Sequence, residues 1–195
     1  MKKSLIVAGI LLAGSSLFAG DGYYVGLGVG NYDFSRSVTK MSTGATGDFD
    51  DDGGFQSLTV GYSYKTNFRS GATYYNINDE TNLDIYHAQI FTDYIIQNEN
   101  ILKPYIGASI GYLNHKLSGL TSLSHTPDSV EIKGMSYGLR AGILWNINKK
   151  LSTDLCFEAK KVQADGSTTG IYSGSKYEWE VDAIKGFSIG LNYKF

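Results

Sequence analysis

The sequence predicts an all-β protein: an eight-stranded antiparallel up-and-down β-barrel that crosses a membrane, preceded by a cleavable signal peptide. Three observations predict it. Eight segments alternate apolar residues with polar or tiny ones at period two, as a strand does when its two faces meet different surroundings. The connections between those segments run long, short, long, short, with both chain ends on the short side. The 195 residues hold 24 Gly and 15 Tyr but only 2 Pro, a composition that suits crowded strands, membrane interfaces and unbroken ladders.

The chain opens MKKSLIVAGILLAGSSLFAG. Lys2 and Lys3 form a basic start, Leu5 to Ala13 an apolar run, and Leu17-Phe18-Ala19 a small-residue cleavage site. Residues 1–19 therefore read as a signal peptide, too short to span a bilayer as a helix, and residues 20–195 as the barrel. Cleavage removes two lysines and lowers Lys+Arg from 17 to 15 against 19 Asp+Glu. The mature chain is mildly acidic, which argues against a nucleic-acid partner. Cys156 is the lone cysteine, so no internal disulfide supports the exported protein.

The strands follow in order. Tyr23, Val25, Leu27 and Val29 alternate with Tyr24, Gly26, Gly28 and Gly30. Leu58, Val60, Tyr62 and Tyr64 alternate with Ser57, Thr59, Gly61 and Ser63. Residues 68–77 carry aromatics on both parities; Phe68, Ala72 and Tyr74 are read as their apolar face. Tyr86, Ala88, Ile90, Tyr94 and Ile96 oppose His87, Gln89, Phe91 and Asp93. Ile106, Ala108, Ile110 and Tyr112 oppose Tyr105, Gly107, Ser109 and Gly111. Met135, Tyr137, Leu139, Ile143 and Trp145 oppose Ser136, Gly138, Arg140 and Gly142. Leu151, Leu155 and Phe157 oppose Ser152, Asp154, Cys156, Glu158 and Lys160. The clearest alternation closes the chain, with Tyr177, Trp179, Val181, Phe187, Ile189, Leu191, Tyr193 and Phe195 on one parity. Glu178, Glu180, Asp182, Ser188, Gly190 and Asn192 occupy the other.

Long polar connections are expected around 33–54, 78–82, 118–130 and 164–176, and tight turns around 65–67, 98–100 and 148–150. A soluble barrel would fill its inside with apolar groups; this pattern puts the apolar face outside, which a lipid bilayer requires of a closed sheet. The chain resembles the small eight-stranded outer-membrane barrels of Gram-negative bacteria, the opacity-type surface proteins and the transmembrane domain of outer-membrane protein A. The resemblance rests on the strand count, the opening strand Tyr23 to Gly30 and the ending Gly190-Leu191-Asn192-Tyr193-Lys194-Phe195. It implies residence in the outer membrane and a terminal-Phe signal to the barrel-assembly machinery. Two aromatic bands are expected on the outside, Tyr23, Tyr64, Phe68, Tyr94, Trp145, Tyr193 and Phe195 near the short turns and Tyr74, Tyr86, Tyr112 and Tyr137 near the loops. The partner these imply is outer-membrane lipid.

Inside, Arg140, Asp154, Glu158 and Lys160 stand on neighbouring strands, with His87, Asp93 and Lys103 elsewhere. If Ile147 pairs with Leu151 across the turn at Asn148-Lys149-Lys150, Arg140 lies opposite Glu158. Ions out of bulk water need partners, so these groups read as a structural charge plug, with a narrow ion path as the alternative. Among the three histidines, His87, His115 and His125, none has a serine and an acid at a spacing that builds a nucleophile and base, so no catalytic residue is assigned. Gly26-Leu27-Gly28-Val29-Gly30 lacks the spacing of a nucleotide loop, and no cofactor is expected.

The run Gly47-Asp48-Phe49-Asp50-Asp51-Asp52-Gly53 opens like a calcium loop, but the twelfth position from Asp48 is Thr59, where a bidentate Glu is needed. The run reads as a solvated tip of the first loop, with weak calcium binding by Asp48, Asp50 and Asp52, or an acidic patch for a partner, as alternatives; no metal site is assigned. The leading reading is a non-enzymatic outer-membrane barrel whose surface-exposed loops serve envelope structure, adhesion or another surface interaction with an extracellular ligand. A small porin-like channel for ions or small solutes is the alternative, and a lipid-modifying enzyme the third.

Overall fold

The computed structural model describes residues 22–64, 67–78, 84–97, 99–118, 129–169 and 176–195. The expected signal peptide and its cleavage site lie outside the described residues. Eight strands follow in order: β1 (Tyr23–Lys40), β2 (Ala45–Ser63), β3 (Phe68–Asn78), β4 (Asp84–Ile95), β5 (Leu102–Ser118), β6 (Ser129–Asn146), β7 (Leu151–Thr169) and β8 (Lys176–Lys194). Each pairs antiparallel with the next, and β8 closes on β1. Near the short-turn end, Phe195 donates its N–H to the Tyr23 carbonyl at 3.0 Å.

The register fixes the barrel's shape. A walk straight across the strands from Tyr23 passes Tyr62, Ser70, Thr92, Ala108, Leu139, Ala159 and Lys185. It returns to β1 at Asp33, ten residues further along. A shear of ten over eight strands tilts them by about 40°. Such a barrel is just wide enough for side chains to fill it.

Exposure confirms the assignment of faces on most strands. Tyr23, Tyr64, Phe68, Tyr94, Trp145 and Tyr193 point outward near the short turns, and Tyr74, Tyr86, Tyr112 and Tyr137 point outward above them. Between the bands lie Leu27, Ile90, Ile106, Leu139, Phe157 and Leu191, all exposed. Tyr94 and Tyr86 are eight residues apart on β4, as are Trp145 and Tyr137 on β6, which at this tilt separates the bands by about 20 Å of height.

Three expectations are corrected. Residues 33–54 are not a long loop: β1 and β2 stay paired up to Lys40 and Ala45 and are joined by a four-residue turn. Gly44 closes that turn at φ 67, where an L side chain is strained, and it donates to the Lys40 carbonyl at 2.9 Å. A polar segment still needs partners for its backbone groups, and the neighbouring strand supplies them. In the segment expected as a loop around 164–176, residues 164–169 belong to β7 and β8 starts at Lys176. Around 118–130, β5 ends at Ser118 and β6 starts at Ser129; the expected loop between them, like residues 170–175, lies outside the described residues.

The second correction concerns β8. Ser35 of β1 faces Ala183, but Arg36 faces Val181, so Asp182 is an extra residue and the strand bulges. A bulge flips the parity beyond it. Trp179 and Val181, expected outside, are inside at 7% and 1% exposure, and Glu180 points out. The third concerns the lumen, which is not uniformly polar or tiny. Its loop-ward half is an apolar core that includes Phe34, Phe55, Ile77, Ile85, Leu113, Ile132, Trp179 and Val181.

Candidate functional site

The lumen is built from the inward residues of all eight strands, because period-two alternation sends every second side chain into it. At its centre stand three cations and three carboxylates. Arg69 Nε donates to Asp93 Oδ2 at 2.7 Å and its Nη2 to Asp154 Oδ2 at 2.8 Å. Arg140 reaches Asp93 with Nε at 3.1 Å, an ion pair without hydrogen-bond alignment, and Glu158 with Nη1 at 3.5 Å. Lys160 Nζ sits 2.6 Å from Glu158 Oε2. Glu158 also accepts from Gln89 Nε2 at 2.9 Å and from the hydroxyls of Tyr32 and Tyr75 at 3.2 Å each. Tyr105 donates to Asp154 Oδ1 at 2.8 Å.

Charges leaving water need both partners and hydrogen bonds, and this cluster has both. Its formal charge sums to zero. The cations also lie on ring faces: Arg140 Cζ is 3.9 Å from the Phe91 centroid, Arg69 Cζ 4.4 Å from Tyr105, and Lys160 Nζ 4.9 Å from Tyr75. Above the cluster sits the apolar core. The inward glycines make the fit possible: a Cβ on Gly186 would enter the Tyr32 ring.

Arg140 does pair with Glu158 across β6 and β7. Asp154 and Lys160 join them as expected, Asp93, expected inside but elsewhere, joins them too, and the closer cation on Glu158 is Lys160. Lys103 stands apart at the short-turn mouth, half-buried, donating to Gln97 at 3.4 Å. Sequence reasoning missed Arg69, which ties β3 to β4 and β7. The signal was present: once Phe68 points outward, its neighbour must point inward.

The histidines do not assemble a catalytic set among the described residues. His87 Nε2 and Ser136 Oγ lie 2.8 Å apart, a pair the spacing did not suggest. Both side chains are 1% exposed, His87 Nδ1 has no partner, and the Tyr75 ring stacks on the imidazole. A serine–histidine pair without an orienting acid and sealed from substrate is core packing. His115 is buried beside Phe34 with neither ring nitrogen hydrogen-bonded. His125 lies outside the described residues. Cys156 is buried, its Sγ 3.6 Å from Arg140 Nη2.

Asp48, Asp50 and Asp52 stand on the outward face of β2, above the apolar belt, all exposed. Same-face neighbours on a strand are about 7 Å apart, so the strand spreads the three carboxylates along its length where a calcium loop would gather them. No group of three metal-binding side chains converges among the described residues. Asp33 faces Asp52 across the ladder, and Glu178 and Glu180 continue the acidic surface on β8.

Comparison with known proteins bears on this geometry. No family model matches the sequence, and no curated protein matches it. Solved structures do. Neisserial surface protein A superposes with a TM-score of 0.62 at 13% identity, over 89% of this chain and 97% of that one. The outer membrane protein OprG of Pseudomonas aeruginosa gives 0.69 at 14% identity, over 90% and 96%. The N-terminal β-barrel domain of P. aeruginosa OprF gives 0.50 at 10% identity, over 89% and 99%. The chain has the fold of the small eight-stranded outer-membrane barrels. A closed ladder with an apolar belt between two aromatic bands is also what spanning a bilayer demands, and the outer membrane is where such barrels reside.

Proposed function

We propose that this barrel is a non-enzymatic outer-membrane protein that holds β-hairpins at the cell surface for envelope structure, adhesion or another surface interaction. One observation carries the reading. The lumen is stoppered twice, by an electroneutral ion cluster and by the apolar core above it, while the strands continue well past the belt. From Asn31 to Lys40, β1 runs about 30 Å along its axis, paired with β2 throughout. A rigid, filled cylinder with raised hairpins presents surface and transports nothing. The likeness in fold to a protein named for its place on the surface supports the same reading.

The test is conductance in planar bilayers together with cell binding. The purified barrel is expected to give no steady single-channel steps. Replacing the hairpin tip Val38–Thr46 with a two-residue turn is expected to keep the barrel folded and to abolish surface binding. Steady conductance in the intact protein would overturn the plugged-barrel reading in favour of a channel.

A further inference from the structure

The short-turn end of the lumen is a vestibule of ≈ 600 Å³, open to the periplasmic side and bounded inward by the ion cluster. Its charged lining is one-sided among the described residues: Lys103, Lys149 and Lys194 project around it, Arg69 forms its floor, and no described carboxylate side chain lines it. Arg69 is committed to Asp93 and Asp154, but the three lysines form no salt bridge among the described residues. At the inner end two donors are orphaned. The Tyr24 hydroxyl and Asn192 Nδ2 have no hydrogen-bond partner, although Tyr24 is 6% and Asn192 7% exposed, and both residues line the vestibule. A buried polar group without a partner is destabilising, so two at the inner end of one pocket mark a place where a ligand atom or water belongs.

We infer that this vestibule is a binding site for an oxyanion-bearing ligand, a carboxylate or phosphate compound of the periplasm. Its acidic group would enter first, accept from the Tyr24 hydroxyl and Asn192 Nδ2, and be neutralised by Lys103 and Lys194, with Lys149 at the rim. Hydrogen bonds to charged groups are the strong class, and partial enclosure weakens screening by salt. The site is independent of the surface hairpins at the far end.

Isothermal titration of the detergent-folded full barrel with tripolyphosphate and, separately, with the tricarboxylate tricarballylate tests the inference and distinguishes phosphate from carboxylate. Saturable binding of one probe at one-to-one stoichiometry is expected. Lys103→Gln, Lys149→Gln and Lys194→Gln together should weaken it at least about thirtyfold, since each charged hydrogen bond lost is worth about tenfold or more. Tyr24→Phe with Asn192→Leu, which changes no charge, should weaken it several-fold. A control with Lys116, Lys161 and Lys185 changed to Gln at the loop end should match the wild type within about twofold. Heat-modifiable gel mobility certifies the fold of each variant. Absence of saturable binding of both probes to the wild type, or equal losses in the two triple variants, would overturn the assignment.

Discussion

Changing Glu158 to Leu removes the acceptor at the centre of the lumen. Five groups converge on it, the cations Lys160 and Arg140 and the hydrogen-bond donors Gln89, Tyr32 and Tyr75. Arg140 keeps Asp93, but Lys160, buried to 1% side-chain exposure, is left with the Tyr32 hydroxyl at 3.2 Å and two ring faces. Breaking one side of a buried ion pair costs about 3–5 kcal/mol, and Glu158→Leu belongs at the upper end because the whole shell loses its acceptor. Lys160→Met should cost about 3 kcal/mol, since Glu158 retains Arg140 as a cationic neighbour and three hydrogen-bond donors. Together the two changes leave Arg69, Arg140, Asp93 and Asp154, again a neutral set. The double variant should therefore fall short of the sum of the singles by about 2–3 kcal/mol. The Arg140–Glu158 pair, at 3.5 Å and shared with Asp93, should show a coupling nearer about 1 kcal/mol. Urea unfolding in lipid vesicles, followed by tryptophan emission, measures all of these. If the Lys160–Glu158 double variant costs as much as the two singles added, the pair is not coupled and the account of the plug is wrong.

The bulge on β8 can be read with light: in single-tryptophan variants, Trp145 should be quenched by brominated lipid and Trp179 by neither lipid nor acrylamide. Free access of acrylamide to Trp179 would return it to the outer face. Gly186→Ala should destabilise the barrel by about 1–3 kcal/mol through overlap with the Tyr32 ring, and Tyr32→Leu in the same chain should restore part of the loss in the same urea assay. Calcium at about 1 mM should leave the melting temperature unchanged, and equally so in Asp50→Asn with Asp52→Asn. A rise that vanishes in the double variant would make the outer face of β2 a metal site.

Strand number, order, direction and the inward parity of seven strands were legible in the residues, because a bilayer outside and a filled lumen inside impose a strong two-face contrast. The opposition of Arg140 and Glu158 followed from one turn and the antiparallel rule. Legibility ended where the contrast ended. Above the belt, Asp33, Ser35, Asp48 and Asp50 sit on a strand face wetted by solvent, so both faces can be polar and the long hairpin read as a loop. One extra residue at Asp182 reversed the face of Trp179 and Val181, and alternation alone cannot show it, since Glu178 and Glu180 fit either side. Arg69 escaped notice amid aromatics on both parities. By itself the sequence determined a membrane-crossing barrel, through period-two hydrophobicity that acts residue by residue. Only the tertiary structure decided how the lumen is sealed and which cation meets which carboxylate. Those contacts join strands far apart in the chain, and a shear of ten, a sum over all eight registers, brings them to one level.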